Sequence, residues 1–336
     1  MNNTNIKNIN IGSLNIRGCK DKYKQDILIK DINRYNIQIC GIQETHIPED
    51  NLIQLKSTLQ KSDKTYLFYH VGAQNNSKHG SGIIVEKELN PLFSKISDRI
   101  CQVKVKINSK DLYVISAYAP TLKTCETHPE QKEQFYDELE QAINKVKSKH
   151  ALVVVGDFNA KTGQGHKEFP ENTGKFDKGL TNSSGRTLLE LTHRNSLVIT
   201  NTVFQHKQAH RTTWTSPDGT YKNQIDYIIT KLQHKNLVTN SRSYGGIESY
   251  TDHNLVKTQI NFRWSKMKTT KRNTVPRINL ENFNDKMKQE EYKQKVEQSY
   301  KENQQKQTAL TETTNQQKWT NIVNIYVSKQ AKKQWA

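Results

Sequence analysis

Cysteine is scarce in this chain: four residues in 336, at positions 19, 40, 101 and 125, with no C-x-x-C pair among them. That spacing excludes a cysteine-based structural zinc site and the disulfide framework of small secreted domains, and it points to a reducing, intracellular compartment. Long apolar runs are also missing. No segment approaches the roughly 20 residues of a membrane-spanning helix, and the N-terminus MNNTNIKNIN lacks the apolar centre of a signal peptide. A soluble protein with no membrane partner is expected. Negative charge is the third deficit, with 33 acidic residues against 51 basic ones and a formal charge of +18. The surplus favours polyanionic partners, nucleic acid first among them. It is not confined to one tail: from Trp264 onward 15 Lys and Arg stand against 7 Asp and Glu, so +8 of the +18 lies there and +10 in the first 263 residues.

Up to about residue 262, short β-branched runs alternate with amphipathic segments. NINIGSLN, IQICGIQE, YLFYH, GIIVE, QVKVKI, LYVISAY, ALVVVG, LVITN, RTTWTS, QIDYIIT and NLVKTQINF read as strands. Helices are predicted over 22–35, 51–61, 130–148 and 184–195, the last behind a serine cap. Many strands with interspersed helices imply a layered, mixed α/β domain over 1–263. Beyond it the composition turns to Lys, Gln, Glu and Asn. Residues 264–279 read as a linker and 280–336 as a basic, partly helical C-terminal extension. Trp319, Ile322, Val323, Tyr326 and Val327 recur there at helical spacing, an apolar stripe suited to docking on its own domain or on a protein partner.

Several of the strands end, or begin, on polar residues that a core has no use for. Asn15 closes IGSLN, Glu44 closes ICGIQE, Tyr118 closes VISAY, and Asp157 and Asn159 close VVVGDFN; Asp226 opens DYIIT, and Asp252 and His253 precede NLVKTQ. Taken singly, each has a plain structural use as a turn residue, a helix cap or an exposed strand-end charge. Strand ends on one edge of a layered sheet, however, converge in space. The set then has a chemical logic. Glu44 and Asp252, aided by the Asn15 amide oxygen, are hard ligands suited to Mg2+ or Mn2+. Asp157 can take a proton from water, and Asn159 can donate to a phosphoryl oxygen or hold the nucleophile. His253, its ring held by Asp226, can stabilise charge on a non-bridging oxygen. Together these describe metal-assisted hydrolysis of a phosphoester. Gly156 would let the chain turn close to a substrate phosphate.

In their order, LNIRG, IQETH, YAPT, GDFNA, IDYII and TDHNLV resemble the endonuclease/exonuclease/phosphatase superfamily, in particular the apurinic-type endonuclease domains of LINE retrotransposons. NTVFQHKQAHRTTWTSPDGTYKNQIDYI is similar to the RTE/BovB branch and its craniofacial-development-protein-2-like relatives. The resemblance covers about residues 9–262. It implies a four-layer α/β sandwich of two packed mixed sheets flanked by helices, and a divalent metal at Glu44. It makes Asp157 the water-activating acid, Asn15 and Asn159 ligands of metal or phosphate, and Tyr118 a phosphate contact. Asp226 and His253 would stabilise the transition state, and Asp252 would complete the site. Apurinic nucleases often carry an acid two positions after the first asparagine, where this chain has Arg17, which weakens a repair-enzyme reading.

The resemblance further implies DNA as the partner. The SPDGTYK hairpin tip would probe a groove with Thr213 and Lys222 near the strand, and Lys161, Lys167, Lys175, Lys178 and Arg186 would contact backbone phosphates. The expected activity is Mg2+-dependent nicking of one DNA strand, in the nucleus. Two alternatives stand beside it: another phosphoesterase of the same superfamily, and a nuclease fold retained as a nucleic-acid-binding or scaffold subunit.

Overall fold

A computed structural model describes residues 8–56, 64–72, 79–108, 110–177, 179–262 and, further on, 287, 290, 293–298 and 300. The chain divides into two units, Met1–Arg263 and Trp264–Ala336. In the second, the described residues are helical, and they are exposed or half-exposed. The expected linker and the apolar stripe from Trp319 to Val327 lie outside the described residues, as does Lys178. No helix among the described residues is long and apolar enough to cross a membrane.

In chain order the first unit runs β1 (Asn8–Asn15), α1 (Lys22–Arg34), β2 (Ile39–Gln43), β3 (Asn51–Lys56), β4 (Thr65–Val71), β5 (Ser81–Glu86), β6 (Leu92–Lys95), β7 (Ile100–Ile107) and β8 (Lys110–Tyr118). It continues with α2 (Leu122–Thr127), α3 (Pro129–Lys145), β9 (Ala151–Asp157), α4 (Ser183–Arg194), β10 (Leu197–Ile199), β11 (Trp214–Thr215), β12 (Lys222–Asn223), β13 (Asp226–Lys231), β14 (Val238–Tyr244) and β15 (Leu255–Asn261). One mixed sheet has the order β14-β15-β1-β2-β5-β4-β3 and the other β10-β13-β9-β8-β7-β6, while β11 and β12 form a separate hairpin.

The two sheets pack face to face, β1 on β9, β2 on β8 and β5 on β7. On the outer face of the first sheet, Leu28, Ile29 and Ile32 of α1 meet Leu14, Ile42 and Phe68. On the outer face of the second, Phe135, Leu139 and Ile143 of α3 and Leu188 and Leu189 of α4 meet Ile115, Val154 and Tyr227. Helix, sheet, sheet and helix make the four layers that the family resemblance implied. Each fully buried Leu, Ile or Phe in these layers contributes about 1.5–3 kcal/mol; cutting Leu139 to alanine would cost about 2–5 kcal/mol. The interface between the sheets is partly polar. Gln43 Nε2 donates to Ser116 Oγ at 3.1 Å, and Ser81 and Ser116 share a hydroxyl bond at 3.0 Å.

Three local expectations need correction. Residues 51–56 form an edge strand, β3, paired antiparallel with β4 from Asn51 opposite His70 to Lys56 opposite Thr65; 57–61 lie outside the described residues. The spacing of Leu52, Ile53 and Leu55 suits either period, and the unpaired edge of β4 decided it. The cap of α4 is Asn182, whose side chain accepts from the Gly185 N–H at 2.8 Å, and Ser183 is the first helical residue. Gly156 sits inside β9, where a Cβ would meet the Ala117 carbonyl oxygen of β8 at 2.1 Å. Its small size serves strand pairing and not a phosphate.

Candidate active site

The parallel pair β1 and β2 delivers Asn15 and Glu44 to one edge of the first sheet, and the parallel pair β8 and β9 delivers Tyr118 and Asp157 to the same edge of the second. Strand β13 runs antiparallel to β9 and so begins there, with Asp226 opposite Asp157. Strand β15 is antiparallel to β1, which brings the preceding Asp252 and His253 to the same place. Glu44, Asp157, Asn159, Asp252 and His253 line a cleft of about 450 Å³, and Asn15, Tyr118 and Asp226 are hydrogen-bonded to them from behind.

Its buried floor is an acid–imidazole–acid row. His253 Nδ1 faces Asp226 Oδ2 at 3.0 Å and Oδ1 at 3.2 Å, and Nε2 lies 3.9 Å from Asp157 Oδ2. Burial alone would depress the histidine, but the Asp226 carboxylate overrides it and raises its pKa to about 9. His253 is therefore an imidazolium at neutral pH, with Nδ1–H given to Asp226 and Nε2–H available to an acceptor in the cleft. Asp157 is pushed up to about 7 by burial and by the nearby Asp226 charge, against the opposing pull of His253. Asn159 stands in left-handed backbone, φ 46°, which asparagine tolerates. That turn lets its N–H donate to Asp157 Oδ1 at 2.9 Å, while its amide donates to the Ala119 carbonyl at 2.9 Å. Asn159 thus aims the Asp157 carboxylate.

Glu44 forms the second half of the floor. Its Oε1 accepts from Asn15 Nδ2 at 2.8 Å and from the Tyr118 hydroxyl at 2.9 Å, and its Oε2 lies 3.3 Å from His46 Nε2. Glu44 and His46 both adopt positive φ, 51° and 55°, a strained conformation of the sort found at functional sites. Burial, reinforced by the Glu44 charge, pushes the Tyr118 phenol well above its usual range, so it stays a donor. Asn15 lies between the two halves of the floor. Its oxygen is taken by the Arg17 N–H at 3.1 Å, and its NH2 bridges Glu44 and Asp157, the latter at 3.0 Å. It ties the two carboxylates together.

Asp252 accepts at Oδ2 from Arg17 Nη1 at 2.9 Å and from Trp214 Nε1 at 3.0 Å, while its buried Oδ1 has no hydrogen-bond partner. Three groups whose ligand atoms lie within 4.8 Å of one another are Asp157, Asp226 and His253. That trio differs from the expected Glu44, Asn15 and Asp252, and a protonated imidazole cannot ligate a cation.

The residues expected to touch nucleic acid are scattered. Lys161 lines the cleft. Lys222 is exposed on the hairpin, whose tip, Pro217 to Thr220, is exposed as expected. Arg186 lies on the surface of α4 and is paired with Glu168 at 3.0 Å and Glu190 at 3.4 Å, so its charge is already compensated. Thr213 corrects the expectation outright. It is 0% exposed, and its hydroxyl accepts from the Ile225 and Asp226 N–H groups at 2.9 and 3.1 Å. Thr213 fixes the start of β13 and cannot reach a strand of DNA. The hairpin also bridges Trp214 to His253 and bonds Asn254 N–H to the Thr213 carbonyl at 2.7 Å, locking the histidine segment. Sequence reasoning missed Lys123 and Trp214 as cleft residues. Nothing local marked them, since their place depends on α2 and the hairpin folding over the sheet edge.

The family model described as endonuclease/exonuclease/phosphatase family matches residues 9–253, which take in every strand but β15 and every one of these site residues. The chain belongs to the endonuclease/exonuclease/phosphatase family. Among curated proteins this family member is similar to craniofacial development protein 2 of Bos taurus, 35% identical over 254 residues that make up 73% of this chain and 40% of that protein. It spans 40–41% of the length of the craniofacial development proteins it matches. Two solved structures share the family fold. The endonuclease domain of TRAS1, a telomere-specific non-LTR retrotransposon, has a TM-score of 0.53 at 14% identity, covering 76% of this chain and 99% of that one. The catalytic domain of Xenopus laevis APE2 has a TM-score of 0.56 at 17% identity, covering 75% and 92%.

Proposed function

We propose that the chain is a divalent-metal-dependent DNA endonuclease of the LINE-retrotransposon type, a phosphodiesterase that nicks one strand. The observation that carries this reading is the Asp157–His253–Asp226 row set beside a Glu44 carboxylate held by Asn15 and Tyr118, all on the floor of one open cleft.

The donor set fits a hard divalent cation. Four carboxylates, Glu44, Asp157, Asp226 and Asp252, gather at a site where His253 pairs with Asp226 and Arg17 with Asp252, and burial first, with the Asp226 charge second, pushes Asp157 up. Asp252 Oδ1 is a buried oxygen with nothing to accept from. Glu44 and Asp252 would hold Mg2+ or Mn2+, which supplies Lewis-acid stabilisation of charge on the phosphoryl and leaving oxygens. The rest falls to the chain itself. Asp157, poised near neutrality, takes a proton from water, with Asn159 and Asn15 fixing its two oxygens. His253, kept charged by Asp226, donates from Nε2 to a non-bridging oxygen as negative charge grows there. The Tyr118 hydroxyl, whose one proton goes to Glu44 Oε1 at 2.9 Å, steadies that carboxylate and contacts a phosphate oxygen only by turning away from it. The +18 charge draws the polyanion in, Lys161 and Lys222 touch its backbone, and a nuclear location follows from the substrate.

A supercoiled plasmid incubated with the protein and Mg2+ should convert to the open circle, stop with a chelator, and survive intact with Asp157→Ala or His253→Ala. Plasmid left untouched while inositol phosphates are hydrolysed would assign the fold to a different phosphoesterase. Plasmid bound but never cut, with any divalent ion, would favour the scaffold reading, with which the name of the craniofacial development relatives is compatible.

A further inference from the structure

Arg17 takes no part in the chemistry above, yet it lines the same cleft. Its backbone is held in left-handed conformation, φ 50°, which is unfavourable for arginine. The local bonds explain how. Its N–H donates to Asn15 Oδ1 at 3.1 Å, its carbonyl accepts from Lys24 Nζ at 3.3 Å, and the next N–H, of Gly18, donates to the Glu44 carbonyl at 2.6 Å. The side chain so launched crosses to the segment before β15, where Nη1 donates to Asp252 Oδ2 at 2.9 Å. That oxygen also receives the Trp214 indole N–H at 3.0 Å, so the carboxylate is fixed from two sides. A guanidinium has five N–H donors in a rigid fork. Here a single bond anchors it and its side chain stays 52% exposed in the cleft. Lys123 and Lys161 line the same cleft.

Resting on the nuclease reading, we infer that Arg17 is a substrate-binding residue that clamps a phosphate next to the one being cut, with Asp252 as the positioning residue that aims it. A planar fork matches two phosphate oxygens at once, which an ammonium group cannot do. The substrate class sharpens accordingly. The cleft selects a phosphodiester that carries a charged neighbour on the same strand and discriminates against isolated monoesters and diesters.

The test pairs protein and substrate changes. Duplex oligonucleotides carrying one neutral methylphosphonate at each position flanking the nick are cut by wild type, Arg17→Gln and Arg17→Lys. DNA affinity is measured in parallel with Ca2+ in place of Mg2+. Arg17→Gln should lower kcat/KM about 10- to 100-fold, mainly through KM. At one flanking position the methylphosphonate should cost wild type a similar factor and cost Arg17→Gln less than about twofold more. Arg17→Lys, which keeps the charge and loses the fork, should fall between. Penalties that multiply at every position would overturn the clamp while leaving the nuclease intact. Binding without cutting would overturn the nuclease reading and leave the same cycle readable in Kd. A wild type that neither binds nor cuts DNA would overturn both.

Discussion

Replacing Asp226 with asparagine keeps the shape of the buried row and removes its charge. Both Asp226 oxygens lie within 3.2 Å of His253 Nδ1, whereas the other carboxylates, on Asp157 and Asp252, approach Nε2 only to 3.9 and 4.0 Å. With Asp226 neutral, burial acts on the imidazole with little to oppose it, and its pKa should fall from about 9 to 6.5 or lower. That fall corresponds to about 3 kcal/mol less preference for the charged ring. At pH 7.5 the imidazolium fraction would drop from nearly all to about a tenth. Charge loss alone then lowers nicking about tenfold, and loss of ring orientation takes the total toward 10²–10⁴-fold. Nitrogen-15 NMR of the His253 ring gives the titration directly, and the nicking rate from pH 6 to 9 gives its consequence, with the variant recovering part of its deficit at the acid end. A ring that still titrates above pH 8 in the variant would refute the assignment of Asp226 as the cause. The sign for stability follows as well. Because folding raises the His253 pKa, its contribution is fully present below about 6.5, the unfolded value, and is lost as pH rises through about 9.

Asp157→Asn should abolish nicking and yet raise the thermal midpoint of the metal-free protein at pH 8. The raised pKa means folding holds a carboxylate where it prefers to be protonated, a cost that grows from about pH 4 to about 7. The gain should be roughly 1–2 kcal/mol, because the new amide faces the Asn15 donor, and should shrink in melts at pH 5; a variant less stable at pH 8 would contradict the cost of burying the charged carboxylate. Glu44→Gln should lose Mg2+-dependent nicking by at least about 10²-fold and weaken Mn2+ binding read by electron paramagnetic resonance, with an unchanged circular dichroism spectrum. Unaltered Mn2+ affinity would remove Glu44 from the cation site. Thr213→Val should leave the Ile225 and Asp226 N–H groups without an acceptor, at about 1–3 kcal/mol each. Melting should show this as a drop of several degrees, with DNA affinity at low temperature unchanged; affinity that fell with no loss of stability would return Thr213 to the DNA surface.

Much of this molecule was legible in the chain because the signals are local. VVVGD reads as a strand buried on both faces since β-branched side chains fill both, PDG reads as a turn, and α1, α3 and α4 lie where apolar residues recur at helical spacing. Polar residues at strand ends, in a fixed order, carried the family and the site. The sequence by itself therefore determined most of the elements and the order of the polar strand ends that meet at one edge. Only the tertiary structure decided which atom of each side chain faces which. It turned the NH2 of Asn15, and not its oxygen, toward Glu44 and Asp157. It buried Thr213 beneath the hairpin, closed 51–56 onto β4 as a strand, and joined Arg17 to Asp252 across 235 residues. The reason is physical. Periodicity and turn chemistry act over a few residues, whereas hydrogen-bond direction, burial and the field on His253 arise from sheet order and sheet-on-sheet packing, which bring together groups that no short stretch of chain connects.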